Sequence, residues 1–175
     1  VAVQRSFELR LARRNARALL ARHGVEAGRA HLPLLVLLHA TFLAACPLEV
    51  WLRDRPLVPG LTLVALAAFA AAQALRYRAI RALGERWTIR VIAVPGAPQV
   101  THGPYAHIRH PNYLAVIIEI AAIPLVHAAW LTAALFSAAN GLLLAERIRV
   151  EERLLRDVGG SGPAPAGRPR FVPRA

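Results

Sequence analysis

Residues 103–113 read Gly-Pro-Tyr-Ala-His-Ile-Arg-His-Pro-Asn-Tyr and stand directly before a long apolar run. This stretch, called the motif loop below, holds two prolines, two tyrosines, two histidines and an arginine within eleven residues. Pro111 lacks a backbone N–H and biases His110 toward an extended conformation, which leaves nearby carbonyl groups available to a ligand. The helix that begins at Asn112 can hold a carboxylate at its N-terminal N–H groups. The stretch therefore predicts a membrane span that opens on a polar site.

The composition of the whole chain is that of a membrane protein. Of its 175 residues 56% are hydrophobic, and the mean hydropathy is +0.40. Soluble domains are only about 45–50% apolar. The net charge is +12 and all 22 basic residues are arginine, so no lysine is present for Schiff-base chemistry. Cys46 is the only cysteine, which excludes a disulfide or a cysteine metal cluster within the chain.

Four apolar runs follow one another along the sequence. They cover residues 32–52, 57–75, 113–130 and 131–146. At about 1.5 Å per residue, a helix of some 20 residues crosses a hydrocarbon core of about 30 Å. We therefore expect an all-α integral membrane fold with about four transmembrane helices, the last two forming a helical hairpin around Trp130. Whether a fifth helix lies upstream of residue 1 is left open by the sequence.

The segments between and beside these runs have patterns of their own. Residues 1–31 carry apolar residues at helical spacing among arginines, which predicts an amphipathic or interfacial helix ending near Gly24. Alternation over residues 87–92 and the turn at 95–98 predict a short surface hairpin or loop before the third span. We expect a single membrane domain over residues 1–158 and a disordered tail, rich in glycine and proline, over residues 159–175.

The distribution of arginine supports this topology. Seven arginines precede the first span, two lie in the loop at 53–55, six lie between residues 76 and 111, and seven follow the last span. Four spans place the three rich segments on one side, which the positive-inside rule assigns to the cytoplasm. A strongly basic chain can also indicate nucleic-acid binding. Because membrane flanks account for the arginines, we expect a lipid bilayer and no nucleic acid as the partner.

Three of the ten acidic residues fall within Glu146–Glu152, at the end of the last apolar run. One interpretation is a solvated helix end with intrahelical ion pairs. The other is a site, because Glu146 and Glu119 lie in or beside apolar spans, where carboxylates are costly and usually functional. No metal site is predicted, since a zinc site at His107 and His110 would need a third ligand such as His102, and no cysteine or carboxylate has a favourable spacing. No phosphate loop or G-x-G-x-x-G element is present either.

Two paired motifs resemble the isoprenylcysteine carboxyl methyltransferase family. They are Gly103-Pro104-Tyr105 followed by Arg109-His110-Pro111-Asn112-Tyr113, and the later Arg147-Ile148-x-x-Glu151-Glu152-x-x-Leu155. The resemblance covers residues 85–157 and implies an integral membrane enzyme whose cofactor is S-adenosyl-L-methionine (SAM). The N-terminal half, with Arg14-Asn15-Ala16-Arg17 and Gly24-Val25-Glu26-x-Gly28, is similar to a bacterial subfamily linked to type III polyketide synthases. Members of that subfamily O-methylate alkylpyrones or alkylresorcinols.

The resemblance also implies roles for individual residues, with the active site facing the cytoplasm at a bacterial inner membrane. The implied catalytic residues are Glu146, Arg147 and Glu151. The implied cofactor-binding residues are Gly103, Tyr105, His107, Arg109, His110, Pro111, Asn112, Tyr113, Glu151 and Glu152. The implied acceptor-binding residues are Asn15, His31, His39, Glu49, Trp87 and Glu119.

Three alternatives remain open from the sequence. The methyl acceptor could be a prenylcysteine carboxylate or a phospholipid amine. Membrane reductases of the sterol type share a similar Arg-His-Pro-x-Tyr element but bind NADPH; the Arg-Ile-x-x-Glu-Glu ending favours the methyltransferase. The chain could also be a non-catalytic membrane protein in which the motif loop is a structural cap.

Overall fold

The computed structural model describes residues 2–158 and 168–171, apart from the side chains of residues 2, 3 and 5. Five helices and two short strands make up these residues, in the order α1 Ala2–Ala21, β1 Val25–Ala27, α2 His31–Leu52, α3 Pro59–Leu83, β2 Val91–Ala93, α4 Pro111–Leu125 and α5 Trp130–Val158. Short 3₁₀ turns lie at Gly84–Arg86 and Gly103–Ala106.

Three of the helical segments are long and apolar enough to cross a membrane, namely His31–Leu52, Pro59–Arg86 and Trp130–Val158. The expected all-α membrane fold is confirmed. The third predicted span is shorter than expected: α4 has 15 residues, about 22 Å, because it ends at Leu125 just after Pro124. A turn with Ala128 at φ +49° then leads into α5. The predicted helical hairpin around Trp130 is thus present, with one short and one long arm.

The helices pack through small and apolar side chains. Ala65, Ala72 and Ala79 lie seven residues apart on α3 and are almost fully buried, which allows close approach of a neighbouring helix. A second cluster, with Phe42 of α2 and Ile120 of α4 among its members, joins α2, α4 and α5. Many other large apolar side chains are exposed, as expected where lipid rather than water is the neighbour.

A strand, β2, forms where a short surface hairpin or loop was expected, but its partner strand is not its neighbour in that segment. β2 does pair antiparallel, but with β1 from the N-terminal segment, so that Val25 faces Ala93 and Ala27 faces Val91. The turn after β2 meets α5 instead, where Gly96 N–H donates to the Val158 carbonyl over 3.2 Å. This pairing fastens the N-terminal segment to the loop that precedes the motif loop.

A glycine and an ion pair hold the strand pair in place. Gly24 follows α1 so closely that a Cβ there would lie 2.6 Å from the Leu19 carbonyl oxygen, which excludes larger residues without rearrangement. Next to the strands, the Arg90 guanidinium donates to Glu26 of β1, and Arg29 Nε also lies 2.6 Å from that carboxylate. The Arg90 hydrogen bond lowers the pKa of Glu26, against the opposing effect of its burial.

Glu49 connects α2 to the N-terminus of α5 at one end of the helix bundle. Its carboxylate accepts the Leu131 and Thr132 backbone N–H groups over 3.3 and 2.6 Å, and so caps the N-terminus of α5. Arg55 donates to the same carboxylate over 3.1 and 2.8 Å. Thr132 and Arg147 are separated by about 22 Å along α5. Glu49 therefore lies at the bundle end opposite Arg147, away from the residues with which the sequence grouped it.

Residues 168–171 belong to the segment for which a disordered tail is predicted, and the structure describes them. They lie on the motif loop, where Arg109 N–H donates to the Pro169 carbonyl over 3.0 Å and His110 N–H to the Arg170 carbonyl over 3.1 Å. Backbone groups of the motif loop thus find their partners in a remote segment, which we call the C-terminal strap (residues 168–171). The remainder of the predicted tail, residues 159–167 and 172–175, lies outside the described residues.

Candidate active site

A cavity of about 970 Å³ connects the motif loop to the interior of the helix bundle. Its apolar part is lined by α2, with Leu35, Val36 and Leu43 among the residues. Its polar part is lined by the motif loop and by the end of α5, including His110 and Glu151. The cavity therefore has a charged end and an apolar end, and one ligand could contact both.

Glu152 fixes the motif loop to α5. Its Oε1 lies 3.2 Å from His110 Nε2 and 3.1 Å from Arg109 Nη1. From the strap, Arg170 donates to both carboxylate oxygens over 3.0 and 2.6 Å, a forked geometry that arginine suits. With two guanidinium groups on one carboxylate, Glu152 is neutralised from within the protein and serves as a clamp.

Glu151 is the more accessible of the two adjacent carboxylates, with its side chain 28% exposed against 12% for Glu152. It accepts a hydrogen bond from the Tyr113 hydroxyl. Arg147 Nε donates to the same hydroxyl oxygen over 3.0 Å, and Arg147 Nη2 donates to the Ile89 carbonyl. The guanidinium also lies over the Tyr113 ring, 5.9 Å from its centroid. This chain of contacts joins α5, α4 and the loop after α3 around one wall of the cavity.

The aromatic rings of the motif loop form a second layer. The His110 ring stacks on Tyr113 with centroids 5.5 Å apart and planes inclined by 24°, and Phe171 of the strap lies 6.5 Å from His110. Arg168 of the strap donates to the Tyr105 carbonyl. Burial, with Glu151 nearby, raises the pKa of Tyr105, so its hydroxyl stays protonated near neutral pH. Tyr105 and Arg168 both line the cavity.

Residues on the acceptor side of the cavity have distinct roles. Asn15 of α1 donates to the carbonyls of Gly84 over 3.1 Å and Trp87 over 2.9 Å, so it holds the loop after α3. His39 and Trp87 line the cavity, and His39 Nδ1 lies 2.8 Å from the Leu35 carbonyl oxygen of its own helix. Asn15 is thus a support for the wall, whereas His39 and Trp87 are part of it.

Glu119 lines the cavity within a buried ion pair. Arg76 donates to its two oxygens over 2.8 and 2.6 Å, and Gln73 donates over 3.0 Å. Glu8 of α1 lies 3.6 Å from Arg76 Nη1. Arg76 was not identified from the sequence, although an arginine close to an apolar run needs a buried partner and Glu119 was an available carboxylate.

Several residues grouped by the sequence are not brought to the cavity. Glu146 is half-buried on another face of α5, where it pairs with Arg149 over 2.9 Å. Helical geometry explains this, since Glu146 and Glu151 lie about 140° apart around the helix whereas Arg147 and Glu151 are about 40° apart. Among the described residues, His31, Glu49 and Pro111 also lie outside the cavity lining, and Gly103 and His107 line a separate hollow near Ala82.

The strap residues were missed altogether. Arg168 and Arg170 occur in a stretch of glycine, proline, alanine and arginine that carries no helical or strand periodicity. The sequence does hold one indication of the strap, and it lies in the motif loop. The backbone N–H groups of Arg109 and His110 precede a proline, cannot join a helix and therefore need acceptors elsewhere. A search for partners of those groups would have pointed to a remote segment.

Comparison with known proteins decides the family. Residues 63–157 match the isoprenylcysteine carboxyl methyltransferase family, which is more than half of the chain. The chain belongs to this family. It is an integral membrane methyltransferase, in keeping with its membrane-spanning helices.

The chain is also similar to two bacterial proteins and to one solved structure. The Bacillus subtilis protein YpbQ, itself uncharacterised, is 36% identical over 156 residues, 89% of this chain and 92% of YpbQ. An uncharacterised Haemophilus influenzae protein is 28% identical over 149 residues, 85% of this chain and 86% of the relative. The structure of the eukaryotic intramembrane Ras methyltransferase, isoprenylcysteine carboxyl methyltransferase, matches with a TM-score of 0.56 at 23% identity. That match covers 74% of this chain and 48% of the eukaryotic chain, and it supports the shared fold.

The residues at the polar end fit the cofactor that this family uses. Two of their buried polar atoms, Asn112 Oδ1 and Arg109 Nε, have no hydrogen-bond partner among the described residues. Asn112 Oδ1 can accept from an amino group of SAM, and Arg109 can donate to its carboxylate. Glu151 can pair with the ammonium group, and the Tyr113 ring suits the positive sulfonium. Donor, acceptor, anion and aromatic face are all present for one zwitterionic, cationic ligand.

Proposed function

We propose that this protein is a SAM-dependent O-methyltransferase that acts on a lipidic acceptor such as an alkylpyrone or alkylresorcinol. The observation that carries the proposal is that one cavity has a polar end lined by Tyr113, Arg147 and Glu151 and an apolar end lined by α2. A small charged cofactor needs only the first end. The second end fits an aliphatic chain, which would enter sideways from the bilayer.

The polar end supports a division of labour between neighbouring carboxylates. Glu152 is already neutralised by Arg109 and Arg170, so it holds the loop in place. Glu151, held by Tyr113, remains to pair with the cofactor's amino group. SAM supplies a methyl group on a positively charged sulfur. The protein's contribution is to position the acceptor oxygen, to exclude water and to keep the surrounding dipoles fixed.

Proton transfer demands little of the enzyme under this proposal. A hydroxypyrone or carboxylate acceptor is largely ionised near neutral pH and arrives as a nucleophile. A phenolic acceptor would instead lose its proton within the cavity, where His39 lines the acceptor side and His110 lines the polar end. The choice between these acceptors therefore decides whether a general base is needed.

The proposed location is a bacterial inner membrane with the active site on the cytoplasmic side. The support comes from the arginines, which concentrate at the bundle end that carries the motif loop, while the loop with Arg53 and Arg55 lies at the other. A functional link to a type III polyketide synthase belongs to the same proposal, because such an enzyme makes acidic, aliphatic ring compounds of this class. A SAM-producing cytoplasm and a lipid-soluble acceptor would then meet at one membrane surface.

The test is methyl transfer by purified protein in lipid nanodiscs. Labelled SAM would be offered with alkylpyrones, alkylresorcinols, a prenylcysteine and phosphatidylethanolamine. We expect label in the pyrone or resorcinol and a SAM dissociation constant in the micromolar range by calorimetry. Transfer of label to prenylcysteine alone would refute the proposed acceptor but leave the proposed SAM-dependent methyl transfer standing. Binding of NADPH without binding of SAM would refute the proposal.

A further inference from the structure

Trp87, a residue of the cavity wall, has one polar atom without a partner among the described residues. The residue is 3% exposed and lines the cavity. Its backbone N–H donates to the Gly84 carbonyl over 3.2 Å, and its carbonyl accepts from Asn15 over 2.9 Å. Its indole Nε1–H is buried and finds no acceptor within residues 2–158 and 168–171. The side-chain donor is thus the one group of this residue that the described protein leaves unsatisfied.

Such a donor is costly unless a ligand completes it. More than about 90% of buried polar groups have a partner, and an unmet one costs about 1–3 kcal/mol. Buried tryptophan usually satisfies its N–H. Because the indole N–H can only donate, the missing partner must be an atom with a lone pair. A protonated amine has none, which excludes an ammonium group as the partner.

The wall around Trp87 is held rigid before any ligand arrives. Asn15 is 2% exposed and donates to both Gly84 and Trp87, so α1 fixes both ends of this turn. Two residues further on, the Ile89 carbonyl accepts from Arg147, which also contacts Tyr113. The segment that carries the unpartnered N–H is therefore tied directly to the residues of the cofactor end.

We propose that the Trp87 indole N–H binds the acceptor substrate, and that the substrate carries a negative charge shared over two oxygen atoms. This inference rests on the proposed methyltransferase function. A hydrogen bond to the attacking oxygen would withdraw electron density and slow its attack. The N–H is useful when it holds the second oxygen of the same anion, leaving the first free. Carboxylates and hydroxypyrones have such a pair of oxygens, whereas a simple phenolate has a single charged oxygen.

The reaction balances without an added base or oxidant. The free oxygen of the anion forms a bond to the methyl carbon, and the carbon–sulfur bond breaks with its electron pair remaining on sulfur. The acceptor's negative charge and the sulfonium's positive charge disappear together. The products are a neutral methyl ether or ester and neutral-sulfur S-adenosylhomocysteine. The Trp87 N–H stays on the oxygen that becomes the carbonyl, so no proton moves.

The test removes a single N–H while keeping the ring shape. The chain has three tryptophans, and Trp51 and Trp130 are 76% and 52% exposed. A Trp51→Phe/Trp130→Phe background leaves Trp87 as the sole tryptophan. Growth of a tryptophan auxotroph on benzothienylalanine then replaces the indole N–H at position 87 by sulfur. The matched control is the same background grown on tryptophan.

We expect loss of the N–H to lower kcat/KM for an alkylhydroxypyrone about 10- to 100-fold, with the SAM dissociation constant unchanged within about twofold. In the control protein, binding of the hydroxypyrone should shift the emission of Trp87, and its methyl ether product should bind more weakly. An alkylphenol should lose less than about threefold on the same replacement.

Three results would overturn the inference. They are unchanged kinetics after the replacement, equal losses for hydroxypyrone and phenol, or an emission spectrum that no acceptor alters. If the control protein transfers no methyl group to any acceptor, the proposed function itself has failed. Kinetics of the control protein therefore distinguish the two failures.

Discussion

Glu119→Gln separates a structural role of this carboxylate from a role in binding substrate. The side chains of Glu119 and Arg76 are 2% and 3% exposed, and the pair is closed by a forked contact of 2.8 and 2.6 Å. Breaking a buried pair by neutralising one partner costs about 3–5 kcal/mol, because the other charge remains buried. Glu8 lies 3.6 Å from Arg76 and compensates in part, so we expect about 3 kcal/mol.

The measurement is thermal unfolding in one detergent, followed by circular dichroism with and without SAM. At about 2–4 °C per kcal/mol for a chain of this size, Tm should fall by about 6–12 °C. Glu85→Gln is the matched control, since Glu85 contacts Arg22 over 3.0 Å with both side chains more than 60% exposed. An exposed pair contributes about 0–1 kcal/mol, so the control should lose at most a few degrees.

Equal shifts in Tm for the two variants would refute the reasoning, because burial would then not set the cost. A second result would separate the roles of Glu119. If Glu119→Gln keeps its Tm but loses binding of the acceptor, the carboxylate acts on the substrate and the ion pair with Arg76 is secondary.

Three further predictions concern the polar end and the strand pair. Glu151→Gln should lower kcat about 100-fold at saturating SAM, while Glu146→Gln, on another face of the same helix, should stay near wild type; equal losses would contradict the assignment. Arg170→Ala should raise the SAM dissociation constant about tenfold by calorimetry, with Arg170→Lys recovering part of it, and unchanged binding would separate the strap from the site. Because Arg90 lowers the pKa of Glu26, their pair stabilises the protein above the unfolded pKa of about 4.5 and is lost as the pH falls toward the lower folded value. Glu26→Gln should therefore reduce the loss of Tm between about pH 5 and pH 3, and an acid limb identical to wild type would contradict this.

Features that depend on local sequence were predictable. The runs that became α2 and α3 are long and apolar enough to be recognised by length and hydropathy alone. The pairing of the motif loop with the acidic end of α5 was also expected, and the structure places His110 beside Glu152 and Tyr113 beside Glu151. The reason is that both halves flank one helical hairpin, whose turn brings the start of α4 and the end of α5 to the same side of the bundle.

Features set by remote contacts were not predictable. β1 and β2 have three residues each, too few for a period-2 pattern to identify the partner. Glu49 and Glu119 looked alike as carboxylates in apolar runs, but one caps a helix and the other pairs with Arg76. Which role each takes depends on tertiary neighbours. Glu146 is different, because the helical period alone would have separated it from Glu151.

Docking of the strap orders the events of biosynthesis. The backbone bond between His110 and Arg170 joins positions about 60 residues apart. At about 5–20 residues per second, a ribosome takes about 3–12 s to cover that interval. Residues 111–125 and 130–158, which form α4 and α5, are made within this interval, so every described helix precedes Arg170, the partner of Glu152. Because the strap follows every described helix in the chain, the polar end of the cavity stays open until those helices have been made.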